Sequence, residues 1–310
     1  LFSLGLEFNL RKLREVGPTA LVAAVAEILL MTWIGYALGR AFGWKTLDAL
    51  FLGAMLAISS TTIIVKALDD LRLKQQRFAQ LIFGILIVED ILAIGIIALL
   101  SSFALSGSMD GTQVAGTLVR LVVFMVVTLV LGLLLVPRLL SYVARFNSDE
   151  MLLVTVLGLC FGVSLLVIRL EYSVALGAFM IGAIIAEARE LKRIERLIAP
   201  LRDMFSAIFF VTIGLLIDPK VVVAYALPIA LITLAVVAGK VLTCSLGTFV
   251  AGHDGRTSLR VGMGLAQIGE FSFIIAALGV SLKVTSDFLY PVVVAVSVIT
   301  TLLTPYLIRA

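Results

Sequence analysis

Ten apolar runs of 15 to 30 residues, at 17–39, 47–65, 78–105, 114–136, 151–168, 173–187, 203–217, 221–250, 259–281 and 287–308, follow one another with only short connections between them. Roughly 20 apolar residues carry a helix across the hydrocarbon core of a bilayer. Backbone polar groups in that core must be paired within the segment, so such runs fold as helices. The pattern therefore predicts an all-α polytopic membrane protein with about ten complete spans. With 61% hydrophobic and only 14% charged residues, the 310-residue chain lacks the polar surface that a soluble fold needs. A soluble enzyme is excluded.

The formal net charge of +4 does not point to nucleic acid, because the basic residues sit in short connections and form no stripe. Their distribution instead sets an orientation. Alternate connections, beginning at 9–16 and including the C-terminus, hold 17 Lys and Arg when Arg260 at the edge of the ninth run is counted with them, whereas the intervening ones hold 5: Arg40, Lys45, Arg169, Lys220 and Lys283. By the positive-inside rule the richer side, with the C-terminus at Ala310, is cytoplasmic. Cys160 and Cys244 lie inside apolar runs and form no disulfide framework, and the single His253 makes no metal cluster. No cofactor is expected, and no Pro/Ser-rich linker divides the chain, so residues 1–310 read as one transmembrane domain. Leu1 to Phe8 read as the end of a truncated span, with an upstream portion expected beyond it.

Chemistry enters where charge lies inside apolar runs. Glu89 and Asp90 sit near the middle of 78–105, where each charge costs at least about 2.5 kcal/mol. Adjacent positions on a helix point about 100° apart, so one carboxylate should lead and the other support. Lys240 lies deep within 221–250 and needs a counter-charge, for which Glu89 or Asp90 is the natural partner. The second run carries Ser59, Ser60, Thr61 and Thr62, and the ninth carries Gly262, Gly264, Gln267, Gly269, Glu270 and Ser272. Hydroxyls compete for backbone carbonyls and glycines weaken helices, so both segments should be interrupted. Paired interruptions in two halves of a transporter mark a binding site near the midplane. Glu27 and Arg120 read as packing or snorkelling groups, and the alternating charges of 187–196 as a solvated interfacial helix.

At these residues the sequence resembles the monovalent cation:proton antiporter family 2, which includes Kef-type potassium and Nap-type sodium systems. The likeness runs through LFSLGLEF, SSTTIIVKAL, IVEDILAI, ALGAFMIGAIIAE, APLRDMFSAIFFVTIGLLID, AGKVL and GLAQIGEFSFIIAALG, in that order along nearly the whole chain. The resemblance implies an inverted-repeat antiporter fold in which two discontinuous helices cross, with spans missing upstream. It also implies a homodimer in a bacterial or archaeal cell membrane. A C-terminal cytoplasmic regulatory domain or subunit, which many members carry, would lie beyond the chain. The family's acidic pair maps onto Glu89 and Asp90, its broken helices onto Ser59 to Thr62 and Gly264 to Glu270, and its membrane lysine onto Lys240. Kef-type members place Gln, and sodium-selective members Asn or Asp, where Glu89 stands here, so the pair does not choose between Na⁺ and K⁺.

The reading is a secondary antiporter exchanging Na⁺ or K⁺ for protons. A carboxylate in low-dielectric surroundings needs a neutralising partner, which a proton and a metal ion both supply; their competition at Asp90 is the coupling. Oxygens near Thr61 and Thr62 would complete the ion's shell. A sodium-coupled symporter of an organic anion is the rival, although the sequence displays no arginine or aromatic anchor for such a substrate. A potassium-type channel lacks a TVGYG-like filter. An intramembrane aspartyl protease needs its two acids on different helices.

Overall fold

The computed structural model describes residues 2–7, 17–106, 111–169, 174–215 and 219–309, and among them every regular element is helical. Predicted features at Leu1, Phe8, Arg11, Lys12, Arg14, 173 and 216–217 lie outside the described residues. In chain order the helices are α1 (Phe2–Glu7), α2 (Gly17–Ala41), α3 (Thr46–Leu56), α4 (Thr61–Asp70), α5 (Arg77–Ser106), α6 (Gly111–Ala144) and α7 (Asp149–Arg169). They continue as α8 (Val174–Ala186), α9 (Leu191–Leu215), α10 (Pro219–Ala224), α11 (Ala226–Val250), α12 (Gly255–Gly264), α13 (Glu270–Ser281) and α14 (Leu289–Arg309).

Seven stretches among the described residues are long and apolar enough to cross a membrane: Thr19–Ala41, Thr46–Leu68, Arg77–Ser101, Val122–Ala144, Asp149–Arg169, Ala226–Val250 and Leu289–Arg309. Leu176–Ala186 and Glu270–Ser281 are shorter apolar helices. One reading is corrected here. The charged segment 187–196 and the apolar run 203–217 were expected as separate elements, yet a single helix, α9, starts within the first at Leu191 and runs to Leu215 in the second, with Pro200 inside it. Polarity changes along that helix without ending it, because a change of composition does not break the i to i−4 ladder. Proline inside an apolar helix is tolerated where neighbouring groups re-satisfy the freed carbonyl.

The chain divides into two compact units, Leu1–Lys12 with Ile97–Thr212, and Leu13–Ile96 with Ile213–Ala310. In the first, α1 packs on α8, and α8 on α6 and α7. Its core gathers Leu6, Leu140, Leu152, Val156, Ile181, Ile185 and Ile194. The second unit carries the acidic pair, Lys240 and both expected interruptions. There α2 packs on α3 and α11, α11 on α12 and α14, and α13 on α3 and α14. Ile64, Leu68, Ile82, Ile85, Leu86, Val261 and Leu265 form the apolar core beside the interruptions.

Large apolar side chains such as Leu29, Trp33, Val154 and Leu165 face outward, while Glu27, Glu89, Lys240 and Gln267 are fully buried. That inverts the arrangement of a soluble protein and suits an apolar solvent. Without a hydrophobic drive between helices, close backbone approach supplies much of the packing. Gly53 is one such place: a Cβ there would run into the backbone carbonyl of Thr32 on α2. Gly53→Ala is expected to destabilise the fold by about 1–3 kcal/mol through overpacking. Gly95→Ala, where a Cβ meets nothing within 4 Å, should not. Thermal unfolding in detergent, comparing the two variants, tests the difference.

Candidate functional site

The hydroxyl run and the glycine-rich run both interrupt their helices, although Thr61 and Thr62 already lie in the first turn of α4, Gly262 and Gly264 in the last turn of α12, and Glu270 in the first turn of α13. Helix α3 ends at Leu56 and α4 resumes at Thr61, while α12 ends at Gly264 and α13 resumes at Glu270. Ser60 explains the restart of α4, since its hydroxyl accepts from the Ile63 N–H at 3.3 Å as an N-cap does. Helix breaks away from water leave backbone groups to be satisfied, and here each interruption satisfies the other. Gly269 N–H donates to Ile58 O at 3.3 Å. Ser59 Oγ donates to Leu265 O at 3.2 Å, Gln267 Nε2 to Ser60 O at 3.4 Å, and Ser272 Oγ to Met55 O at 2.5 Å. The backbones lie so close at Gly269 that a Cβ would collide with Ser60 Cα, which accounts for glycine at that position. A Cβ on Gly264 would collide with the end of the Ile82 side chain and touch that of Ile64.

The two adjacent carboxylates face different partners, as their angular separation on α5 requires. Glu89, fully buried, accepts from the Ser59 N–H through Oε2 at 2.8 Å. Asp90, 8% exposed, accepts from Thr61 Oγ1 through Oδ2 at 3.1 Å. Thr62 does not join Asp90; its hydroxyl donates to Glu270 Oε1 at 3.2 Å, and Ser60 Oγ donates to Glu270 Oε2 at 2.7 Å.

Lys240 corrects the sequence reading. Its ion-pair partner is neither member of the acidic pair but Glu27 on α2, with Nζ 2.5 Å from Oε1 and both side chains fully buried. The same ammonium donates to Ser59 Oγ at 2.9 Å and to Ala57 O at 3.4 Å, so all three of its donors are used. Packing of α2 on α11 brings Glu27 to Lys240 across 213 positions of sequence. Sequence reasoning read Glu27 as a packing pair or a snorkelling group, and the structure finds it paired; what the sequence did not give was Lys240 as the partner. It also took Glu270 only as part of an interruption, whereas its carboxylate binds hydroxyls of the other interruption.

Buried charge enclosed by long apolar helices, with two helix breaks bonded to each other beside it, describes an integral membrane protein. A family model described as the transmembrane sodium/hydrogen exchanger matches residues 1–309, and the chain belongs to that family. It is 33% identical to YbaL of Escherichia coli (strain K12) over 99% of its own length, and it spans 56% of YbaL. It is 31% identical to the K(+)/H(+) antiporter subunit KhtU of Bacillus subtilis (strain 168), over 91% of this chain and 69% of KhtU. Its fold is similar to the solved structure of the sodium proton antiporter MjNhaP1 from Methanocaldococcus jannaschii, with a TM-score of 0.74, 18% identity, and coverage of 99% of this chain and 80% of that one.

Removing one member of a buried ion pair leaves the other charge uncompensated and costs about 3–5 kcal/mol, whereas replacing both with groups of similar volume costs far less. Glu27→Gln alone should therefore lower Tm sharply, and Glu27→Gln combined with Lys240→Met should recover most of the loss. Equal melting of the single variant and the parent would show that the pair does not stabilise this unit.

Proposed function

We propose that the chain is the transport domain of a secondary antiporter that exchanges a monovalent cation, Na⁺ or K⁺, for protons by competition at Asp90. The observation that carries this reading is the Thr61 to Asp90 hydrogen bond beside the two mutually bonded helix interruptions. An aspartate there can be neutralised by a proton or by a cation but not by both at once, so each release permits the other to bind. Thr61 Oγ1 and the oxygens of the first interruption would supply further ligands. Glu89, tied to the Ser59 backbone, supports the interruption rather than carrying the ion. The cation is left between Na⁺ and K⁺: KhtU is named a K(+)/H(+) antiporter subunit, and MjNhaP1 a sodium proton antiporter.

In this reading the two interrupted helices cross within a fold of about ten spans, and a homodimer sits in the cell membrane with its C-terminus cytoplasmic. Regulation would come from a cytoplasmic domain or subunit. No nucleic acid and no cofactor takes part. Alternating access would arise as the interrupted helices and Asp90 move together, because the hydrogen bonds between the interruptions tie them into one body.

Two outcomes test the reading. In proteoliposomes carrying a pH-sensitive dye, Asp90→Asn should abolish exchange of Na⁺, K⁺ and Li⁺ while the protein remains folded, because Asn keeps the volume but can neither ionise nor release a proton. Glu89→Gln should retain exchange, with an altered pH profile. Wild-type rates in Asp90→Asn would remove Asp90 from the mechanism. The second outcome concerns charge balance. With the Lys240 ammonium committed to Glu27, one proton replaces one cation at Asp90 and no net charge moves. An imposed potential of 100 mV, worth about 2.3 kcal/mol per elementary charge, should then leave the rate unchanged. A rate that follows the potential would bring a second titrating group into the cycle.

A further inference from the structure

Helix α12 carries a stripe that changes character along its length. Arg256, Leu259, Arg260 and Met263 fall at i, i+3, i+4 and i+7 and so share one face of the helix. Arg256 and Leu259 are exposed and Arg260 is half-buried, whereas Ser258, Val261 and Gly262 on the other side are buried. Arg260 lies over the ring of the buried Phe78, with Cζ 5.3 Å from the ring centroid. That contact brings the α12 cations to the first turn of α5, where Arg77 is also exposed. Three arginines therefore stand at one end of the second unit, and among the described residues no carboxylate forms an ion pair with any of them. Asp254, two residues before Arg256, spends Oδ2 on capping α12, where it accepts from the Thr257 N–H at 3.0 Å. Apolar surface accompanies the charge. Leu246 and Phe249, in the last two turns of α11, are exposed like Leu259, and α11 packs on α12. Unpaired arginines next to exposed apolar side chains match the two parts of a phospholipid, its phosphate and its acyl chains.

We propose that this end of the second unit binds an anionic phospholipid, with Arg256 and Arg260 holding its phosphate and Leu246, Phe249 and Leu259 against its chains. A guanidinium group offers two parallel N–H bonds to phosphate oxygens. A zwitterionic lipid offers the same oxygens, but its own cationic group meets three arginines and is repelled. Because Arg260 already reaches Phe78, a lipid held there joins the start of α5, the helix of Asp90, to the helix that runs into the second interruption. The proposal rests on the membrane setting and needs no ion exchange, so it stands or falls apart from the antiporter reading.

The test is thermal unfolding of the detergent-solubilised protein titrated with phosphatidylglycerol, phosphatidylcholine, glycerol phosphate or an oligoglutamate peptide. Phosphatidylglycerol should raise Tm saturably, and the other three should not at the same concentration. Each basic residue beside an anionic lipid strengthens binding by about fivefold, so Arg256→Gln combined with Arg260→Gln should raise the half-saturating lipid concentration by about thirtyfold. Lys45→Gln, at an exposed cation on the connection between α2 and α3, should leave it unchanged. If the double variant does not fold, Arg256→Gln alone, at an exposed side chain, should raise the concentration by about fivefold. Equal protection by phosphatidylcholine overturns the proposal, as does an unchanged half-saturation in the arginine variants. Equal protection by glycerol phosphate assigns the arginines to a free phosphate, and by oligoglutamate to an acidic protein partner; either result overturns the lipid site. Wild-type protein that binds the lipid in this way and exchanges no cation in proteoliposomes overturns the antiporter reading alone.

Discussion

The ammonium of Lys240 is the charge around which the second unit is organised. Removed from water, it needs a counter-ion and acceptors for three N–H bonds, and the unit supplies Glu27, the Ser59 hydroxyl and the Ala57 carbonyl. Two of these three belong to the interrupted stretch between α3 and α4. The break in that helix is therefore a source of acceptors: a continuous helix would have spent the Ala57 carbonyl on its own ladder. Glu89 adds to the same stretch by accepting the Ser59 N–H. Charge burial on α2, α5 and α11 and the irregular backbone at 57–60 are thus one arrangement, each needing the other to be satisfied.

The second interruption completes it. Residues 265–269 give Leu265 O and Gly269 N–H to the first interruption and receive hydroxyl and backbone partners in return. Small residues make this possible, since only at a glycine can the backbone at 269 approach Ser60 so closely. Polar backbone away from water is tolerated here because it is enclosed by protein and paired, the condition under which membrane proteins keep non-helical segments.

Around this polar interior the unit is apolar in two senses. Ile64, Ile82, Ile85 and Leu265 seal the interruptions from within, while Leu29, Trp33 and Leu234 present apolar surface outward. The inner layer helps keep water from the fully buried Glu89 and so keeps its interactions strong. The outer layer matches hydrocarbon.

Sequence by itself determined the solvent and the helices that carry buried charge. Hydropathy is a sum over neighbours along the chain, so the apolar runs declare a membrane protein before any contact is known, and an acid inside such a run declares its cost. The breaks near Ser59–Thr62 and Gly264–Gly269 were legible for the same reason, because hydroxyl and glycine effects on a helix are local. Tertiary structure decided the pairings. Lys240 chose Glu27 over Glu89 and Asp90, and Glu270 took the hydroxyls of Ser60 and Thr62, because partner choice depends on how each helix is rotated and which neighbour it packs against. Residues separated by 213 and 210 positions leave no local trace of that choice. The continuity of α9 through a polar and an apolar half was hidden likewise, since a helix ends where its backbone bonds end and not where its side chains change character.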